Sequence, residues 1–153
     1  MLWIIIIIVL AFIDQLTKYL VSINIEYGET GPGIGGFFHL TYHHNKGAAW
    51  GIFQDSRYFL ITLTILLLVV LAYIFIKSGS RFLRLSLSII IGGAVGNLID
   101  RIRIGGVTDF LDFHFGSYHF PTFNFADICV VTGTFMVAWY MLCIYKGNTK
   151  QEE

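Results

Sequence analysis

The side chains of this sequence that are able to do chemistry are few, and most stand at the edges of long apolar runs. Asn97 and Asp100 are three residues apart, as are Asn124 and Asp127, so each pair can share one helix face or one N-terminal turn. Asp14 and Lys18 are spaced i, i+4, while Asp109 and Asp112 fall between the last two runs. Two carboxylates held close together cannot both ionise easily. They share a proton, and such a pair can take a proton from water as base while giving one to a carbonyl as acid. The apparent pKa values then belong to the pair.

Each of these residues also has a plainer reading. Asp127 could simply complement a helix dipole, Asp100 could pair locally with Arg101, Asp14 and Lys18 could be an intrahelical pair, and Asp112 is expected to be solvated. Other chemistries fare worse. The sequence holds no G-x-S-x-G elbow and no H-E-x-x-H zinc helix. His39, His43, His44, His114 and His119 leave a metal site geometrically open, but strand-edge histidines are expected to make ordinary polar contacts, so no metal is assigned. Cys129 and Cys143, if on one helix, stand about 21 Å apart at 1.5 Å per residue and read as inert packing residues.

The elements that must position these groups follow from composition. The chain has 153 residues, 56% hydrophobic and only 13% charged, with mean hydropathy +0.70 and no net charge. A soluble domain carries about 25% charged residues; the deficit here points to a single integral-membrane domain over residues 1–153. The balanced charge, with no basic or acidic block, argues against nucleic acid as a partner. A bilayer core of about 30 Å needs around 20 apolar residues as helix. Four runs qualify, at about 2–23, 58–76, 82–99 and 125–145, leaving longer segments at about 24–57 and 100–124. The first run lacks a basic leader and an A-x-A-like site and is expected to be a retained span.

Basic residues are densest at Lys77, Arg81 and Arg84 and at Lys146 and Lys150. This predicts both termini in the cytoplasm and both longer segments outside. Asn97, Asp100, Asn124 and Asp127 then share one depth, with Asp14 in the outer half of the first span, giving a carboxylate-rich pocket near the outer leaflet. Gly92, Gly93 and Gly96 permit close helix approach. Gly28 to Gly36 reads as turn-rich. Phe37 to His44 reads as a strand with Phe38, Leu40 and Tyr42 on one face, and Val107 to Phe115 as a possible second strand. Gly51 to Arg57 is expected to be a short interfacial helix. The expected fold is therefore a membrane all-α core of four transmembrane helices with a small extracytoplasmic β-rich cradle and a short interfacial helix.

Five blocks carry a resemblance to a known family: Asp14-Gln15-Leu16-Thr17-Lys18, Asn45-Lys46-Gly47-Ala48-Ala49-Trp50-Gly51, Gly92-Gly93-Ala94-Val95-Gly96-Asn97-Leu98-Ile99-Asp100-Arg101, Val107-Thr108-Asp109-Phe110 and Phe123-Asn124-Phe125-Ala126-Asp127. In this order the sequence resembles the bacterial lipoprotein signal peptidases, signal peptidase II. The resemblance implies an aspartic endopeptidase that removes the signal peptide from diacylglyceryl-modified prolipoproteins, cutting before the lipidated cysteine. It implies Asp109 and Asp127 as the catalytic pair and Asp14, Lys18, Asn45, Gly47, Asn97, Asp100, Arg101, Asn124 and Ala126 as substrate-binding or supporting residues. It also implies no cofactor and a monomer in the bacterial cytoplasmic membrane. Trp50 stands where Phe is common in the family, and Thr108 where Val is common. Spacing alone leaves Asp100 and Asp109 as rival partners for Asp127; the resemblance favours Asp109.

Three other classes compete. A structural subunit without chemistry would be favoured if Asp109→Asn and Asp127→Asn left cells indifferent. A proton-coupled transporter would distribute ionisable groups through the membrane thickness, but the second span carries none. A presenilin-like protease would show G-x-G-D, which Gly106-Val107-Thr108-Asp109 does not supply.

Overall fold

The computed structural model describes residues 1–48 and 52–145. Four helices and a small sheet are arranged in the order α1 (Leu2–Asn24), β1 (Thr30–Ile34), β2 (Phe38–Asn45), α2 (Arg57–Lys77), α3 (Arg81–Ile104), β3 (Val107–Phe115), β4 (Tyr118–His119) and α4 (Phe125–Trp139). A π-helical turn, Tyr140–Tyr145, continues α4. All four helical segments are long and apolar enough to cross a membrane.

Their burial pattern is the reverse of a soluble bundle. On α1 the buried positions are Ala11, Asp14, Lys18 and Val21, a stripe at helical spacing, whereas Ile4, Ile5, Ile8 and Phe12 point outward. Large apolar side chains face outward and small or polar ones face the neighbouring helices. Helix α2 takes this furthest, burying only Leu60 and Leu71. Helix α3 is the centre, packing against α1, α2 and α4.

Its glycines are what allow that approach. A Cβ on Gly93 would overlap the carbonyl oxygen of Ala126 and stand 2.9 Å from the Cβ of Cys129. A Cβ on Gly96 would overlap the Asp14 carboxylate. Both contacts lie beside the polar cluster described below, so the glycines set how near its members come.

The helix starts and stops have local causes. The Ser80 hydroxyl accepts from the Leu83 N–H to cap α3, and Gly105, at φ 77°, ends it in the left-handed conformation. Helix α3 therefore runs five residues past the expected limit at 99, carrying Asp100 and Arg101 on the helix and not in the following segment.

The sheet is antiparallel in the order β1-β2-β3-β4. Strand β1 lies within the segment expected to be turns. Gly33 permits its close pairing, since a Cβ there would overlap the Phe38 carbonyl and the His39 ring, while Gly35 and Gly36, at φ 58° and 72°, make the turn into β2. Strand β3 spans Val107–Phe115 as expected, and β2 runs one residue beyond the expected strand, to Asn45.

The interfacial helix is not observed among the described residues. Residues 52–55 are turns, and Phe53 and Asp55 both adopt φ 59°, which breaks any right-handed helical run before α2 starts at Arg57. Gly51, Trp50, Lys146 and Lys150 lie outside the described residues. Cys129 is buried and Cys143 exposed, both as free thiols.

Gly93→Ala is expected to force α3 from α4 and destabilise the protein by about 2 kcal/mol or more, as overpacking does. Gly79→Ala, where an added Cβ would meet nothing within 4 Å, serves as the control. Thermal melts of the two variants in detergent check this; equal melting temperatures would refute it.

Candidate active site

The site begins on α1. Lys18 is buried, and its ammonium contacts Asp14 Oδ2 at 2.8 Å one turn earlier, Asp100 Oδ2 at 3.0 Å on α3, and Asn97 Oδ1 at 2.9 Å. Three donors meet three acceptors. The same acceptors fix the surroundings. Asp14 Oδ1 accepts from the backbone N–H of Ala126 at 2.9 Å, and Asp100 Oδ2 accepts from the backbone N–H of Thr108 at 3.0 Å. Gln15 closes the ring, donating to Asp100 Oδ1 at 2.9 Å and to the Gly96 carbonyl at 3.1 Å. Sequence reasoning left Gln15 out of the site, although its place beside Asp14 and three residues before Lys18 was a usable signal.

Asn97 passes the arrangement onward. Its carbonyl accepts from the Lys18 ammonium while its amide donates to Asp127 Oδ1 at 2.8 Å. Asp127 sits in the first turn of α4 in a capping box. Its N–H donates to Asn124 Oδ1 at 3.0 Å and its Oδ2 accepts from the Asn124 N–H at 3.2 Å. The dipole reading of Asp127 is therefore correct as far as it goes. Asn124, fully buried, uses its remaining amide protons toward β3, donating to Asp109 Oδ1 at 2.6 Å. Asn45, at the end of β2, donates to Asp109 Oδ2 at 3.2 Å, and its own Oδ1 accepts from the buried Gly47 N–H at 2.9 Å.

Asp109 is 2% exposed. Burial, and then the nearby Asp127 charge, push its carboxyl up from the usual carboxylate range to about 7, against the pull of its two amide donors. Arg101 approaches from α3, its guanidinium 3.5 Å from the Gly47 carbonyl and within electrostatic reach of Asp127, Asp109 and Asp100. All eleven residues singled out from the sequence thus meet at one end of the bundle. Asp100 does not pair with Arg101 as its plainer reading held; it belongs to the Lys18 cluster. Asp112 is not solvated either. It is buried, with Oδ2 2.9 Å from His114 Nε2.

Four membrane-capable helices, with a buried Asp109 and a half-buried Asp127 near one another at one end, define a multi-pass membrane protein with the makings of a hydrolytic site. Residues 6–143 match the family model described as signal peptidase (SPase) II. Among curated relatives, the lipoprotein signal peptidase of Clostridium tetani is 45% identical over 142 residues, covering 90% of this chain and 91% of that protein. That of Moorella thermoacetica is 43% identical, covering 85% of each. A bacterial membrane enzyme solved by the in meso method at 2.3 Å superposes with a TM-score of 0.85 at 36% identity, covering 92% of this chain and 87% of that one. A second, at 1.9 Å, gives 0.83 at 35% identity and 93% coverage of both. The chain belongs to the signal peptidase II family.

Two outcomes are expected from these contacts. Lys18→Met leaves Asp14 and Asp100 as buried, unpaired charges and should cost about 3–5 kcal/mol, read as a lowered melting temperature in detergent. Asp109 carries a raised pKa, so the folded protein holds a proton between about 4 and 7 that the unfolded chain has lost. Its contribution to stability is present below that window and is lost as pH rises through about 7. The melting temperature of Asp109→Asn minus that of the parent protein should therefore grow from pH 5 to pH 8; a constant difference would contradict the coupling.

Proposed function

We propose that this protein is an aspartic endopeptidase that removes the signal peptide from prolipoproteins, cutting before the diacylglyceryl-modified cysteine. The observation that carries the reading is the buried Asp109 carboxyl, raised to about 7 beside Asp127, with one asparagine, Asn124, bonded to both residues. The curated relatives are named as lipoprotein signal peptidases, which supplies the substrate class.

In the reading, Asp109 enters the reaction protonated and Asp127 ionised. Asp127 takes a proton from a water whose oxygen attacks the scissile carbonyl carbon, and Asp109 gives its proton to the carbonyl oxygen. Collapse of the resulting gem-diol returns a hydroxyl proton to Asp109 and breaks the C–N bond. The proton held by Asp127 passes to the leaving nitrogen, so both carboxyls regain their starting states. No metal or organic cofactor is used. Asn45, Asn97 and Asn124 hold the two carboxyls by neutral donors; Asp14, Lys18 and Asp100 position the elements that carry them. Arg101, Gly47 and Ala126 line or support the site.

We assign the site end of the bundle to the outer leaflet, with both termini in the cytoplasm. A prolipoprotein presents its signal sequence as a membrane helix and its lipid chains at the leaflet surface, so its scissile bond lies at that depth. We assign the enzyme as a monomer, in keeping with the expectation from the family resemblance.

The test is incubation of the purified full-length protein in detergent with a diacylglyceryl-modified prolipoprotein and its unlipidated form, identifying new N-termini by mass. A single cut before the lipidated cysteine is expected, with the rate declining above about pH 7 as Asp109 loses its proton. Asp109→Asn and Asp127→Asn should each lose about 10³-fold or more in kcat while remaining folded. Retained cleavage in Asp109→Asn with loss in Asp100→Asn would move the pair to Asp100 and Asp127. No cleavage by folded parent protein would overturn the peptidase reading.

A further inference from the structure

The sheet carries a second cluster of reactive side chains on which the proteolytic reading does not draw. His39 on β2 pairs directly with Asp112 on β3, and His114 pairs with His119 on β4. Side chains alternate along a strand, so His39, Asp112, His114 and His119 fall on one face. The neighbouring pairs Phe38 with Phe113 and Leu40 with Leu111 fall on the other. One ligand atom from each of His39, Asp112 and His114 lies within 4.8 Å of the others. The His39 and His114 rings are 4.7 Å apart and tilted, while His114 and His119 stack at 3.9 Å. A further observation points to a ligand: His39 Nδ1 is buried and has no hydrogen-bond partner among the described residues. Burying a ring nitrogen without a partner is unfavourable.

We propose that His39, Asp112 and His114 form a binding site for a first-row divalent transition-metal ion of the Zn²⁺ type, on the face of the sheet opposite Phe38, Leu111 and Phe113. Two imidazoles and a carboxylate are the donor set such ions take, whereas Ca²⁺ and Mg²⁺ prefer all-oxygen shells. With ligand bonds of about 2.0–2.1 Å, tetrahedral ligand atoms stand about 3.3 Å apart. A bound ion would draw the three groups in from their present separation, with Asp112 Oδ2 exchanging its His114 contact for the ion. Water or His119, exposed on the short β4, completes the shell. The bound ion ties β2 directly to β3, and through His119 to β4, clamping the sheet that carries Asp109 at its other end. The role is structural and independent of the peptide-cleaving reading.

The experiment uses untagged full-length protein in detergent, stripped with chelator and titrated with Zn²⁺, and in parallel with Co²⁺ read by its visible ligand-field bands. One equivalent of Zn²⁺ retained through dialysis, with a raised melting temperature, is expected. Outer-shell partners alone change metal affinity by about 10–100-fold. His39→Ala or His114→Ala should therefore weaken binding by at least about 100-fold, and Asp127→Asn should leave it unchanged. Loss of binding in Asp127→Asn alone, binding unaltered in both histidine variants, or none in the parent protein overturns the proposal. If the histidine variants do not fold, imidazole NMR of the parent protein decides: Zn²⁺ must shift His39 and His114 and leave His44 unmoved.

Discussion

The buried ammonium of Lys18 is the constraint on which the rest of the arrangement depends. Removing such a charge from water costs several kcal/mol even after relaxation, and the cost is recovered only if every donor finds an acceptor of good geometry. Here the acceptors come from α1 itself and from α3, at 2.8 to 3.0 Å. Each acceptor then makes a second contact: Asp14 with the start of α4, Asp100 with the start of β3, and Asn97 with Asp127. A single side chain therefore fixes where four elements begin or end relative to one another. The glycines of α3 serve the same constraint, because a side chain at Gly96 would occupy the space of the Asp14 carboxylate.

Asp109 and Asp127 come from different kinds of element, one from a strand and one from the first turn of a helix. Asn124 is the joint between them. It caps α4 through Asp127 and donates to Asp109, so the helix start and the strand are held in one register by a single buried amide. Rigid elements with locked side chains keep such a constellation within the tolerance chemistry requires. Strand β3 is in turn fixed at its beginning by Asp100 and along its length by β2.

Much of this was legible in the sequence. The four apolar runs marked the helices to within a residue or two, except where α3 runs on to Ile104. The i, i+4 spacing of Asp14 and Lys18 marked their contact, and topology alone put Asn97 and Asp127 at one depth. What was not legible depended on long-range pairing. Spacing could not choose between Asp100 and Asp109, because the position of Asp109 follows from pairing with His43 across an irregularity in β2 between Leu40 and His43. That irregularity has no local signature. Asp112 was misjudged for a related reason: its burial depends on what covers one face of β3. The turn at 52–55 was misjudged because two residues without glycine's freedom adopt positive φ there.

The separation of the cations from the carboxylate pair explains why Asp109 can hold a proton near neutral pH. Among the described residues neither Lys18 nor Arg101 forms an ion pair with Asp109 or Asp127. Lys18 is committed to Asp14 and Asp100, and it acts on Asp109 more weakly than burial or Asp127 does. Asn97 is the spacer: it meets the ammonium with its carbonyl and Asp127 with its amide, passing on position without a contact charge. An ammonium bonded directly to Asp109 would favour its ionised form and remove the proton an acid must donate. Neutral amides do the holding instead, from Asn45, Asn97 and Asn124, so the site keeps its geometry through hydrogen bonds while burial and the Asp127 charge outweigh the pull of those donors on Asp109.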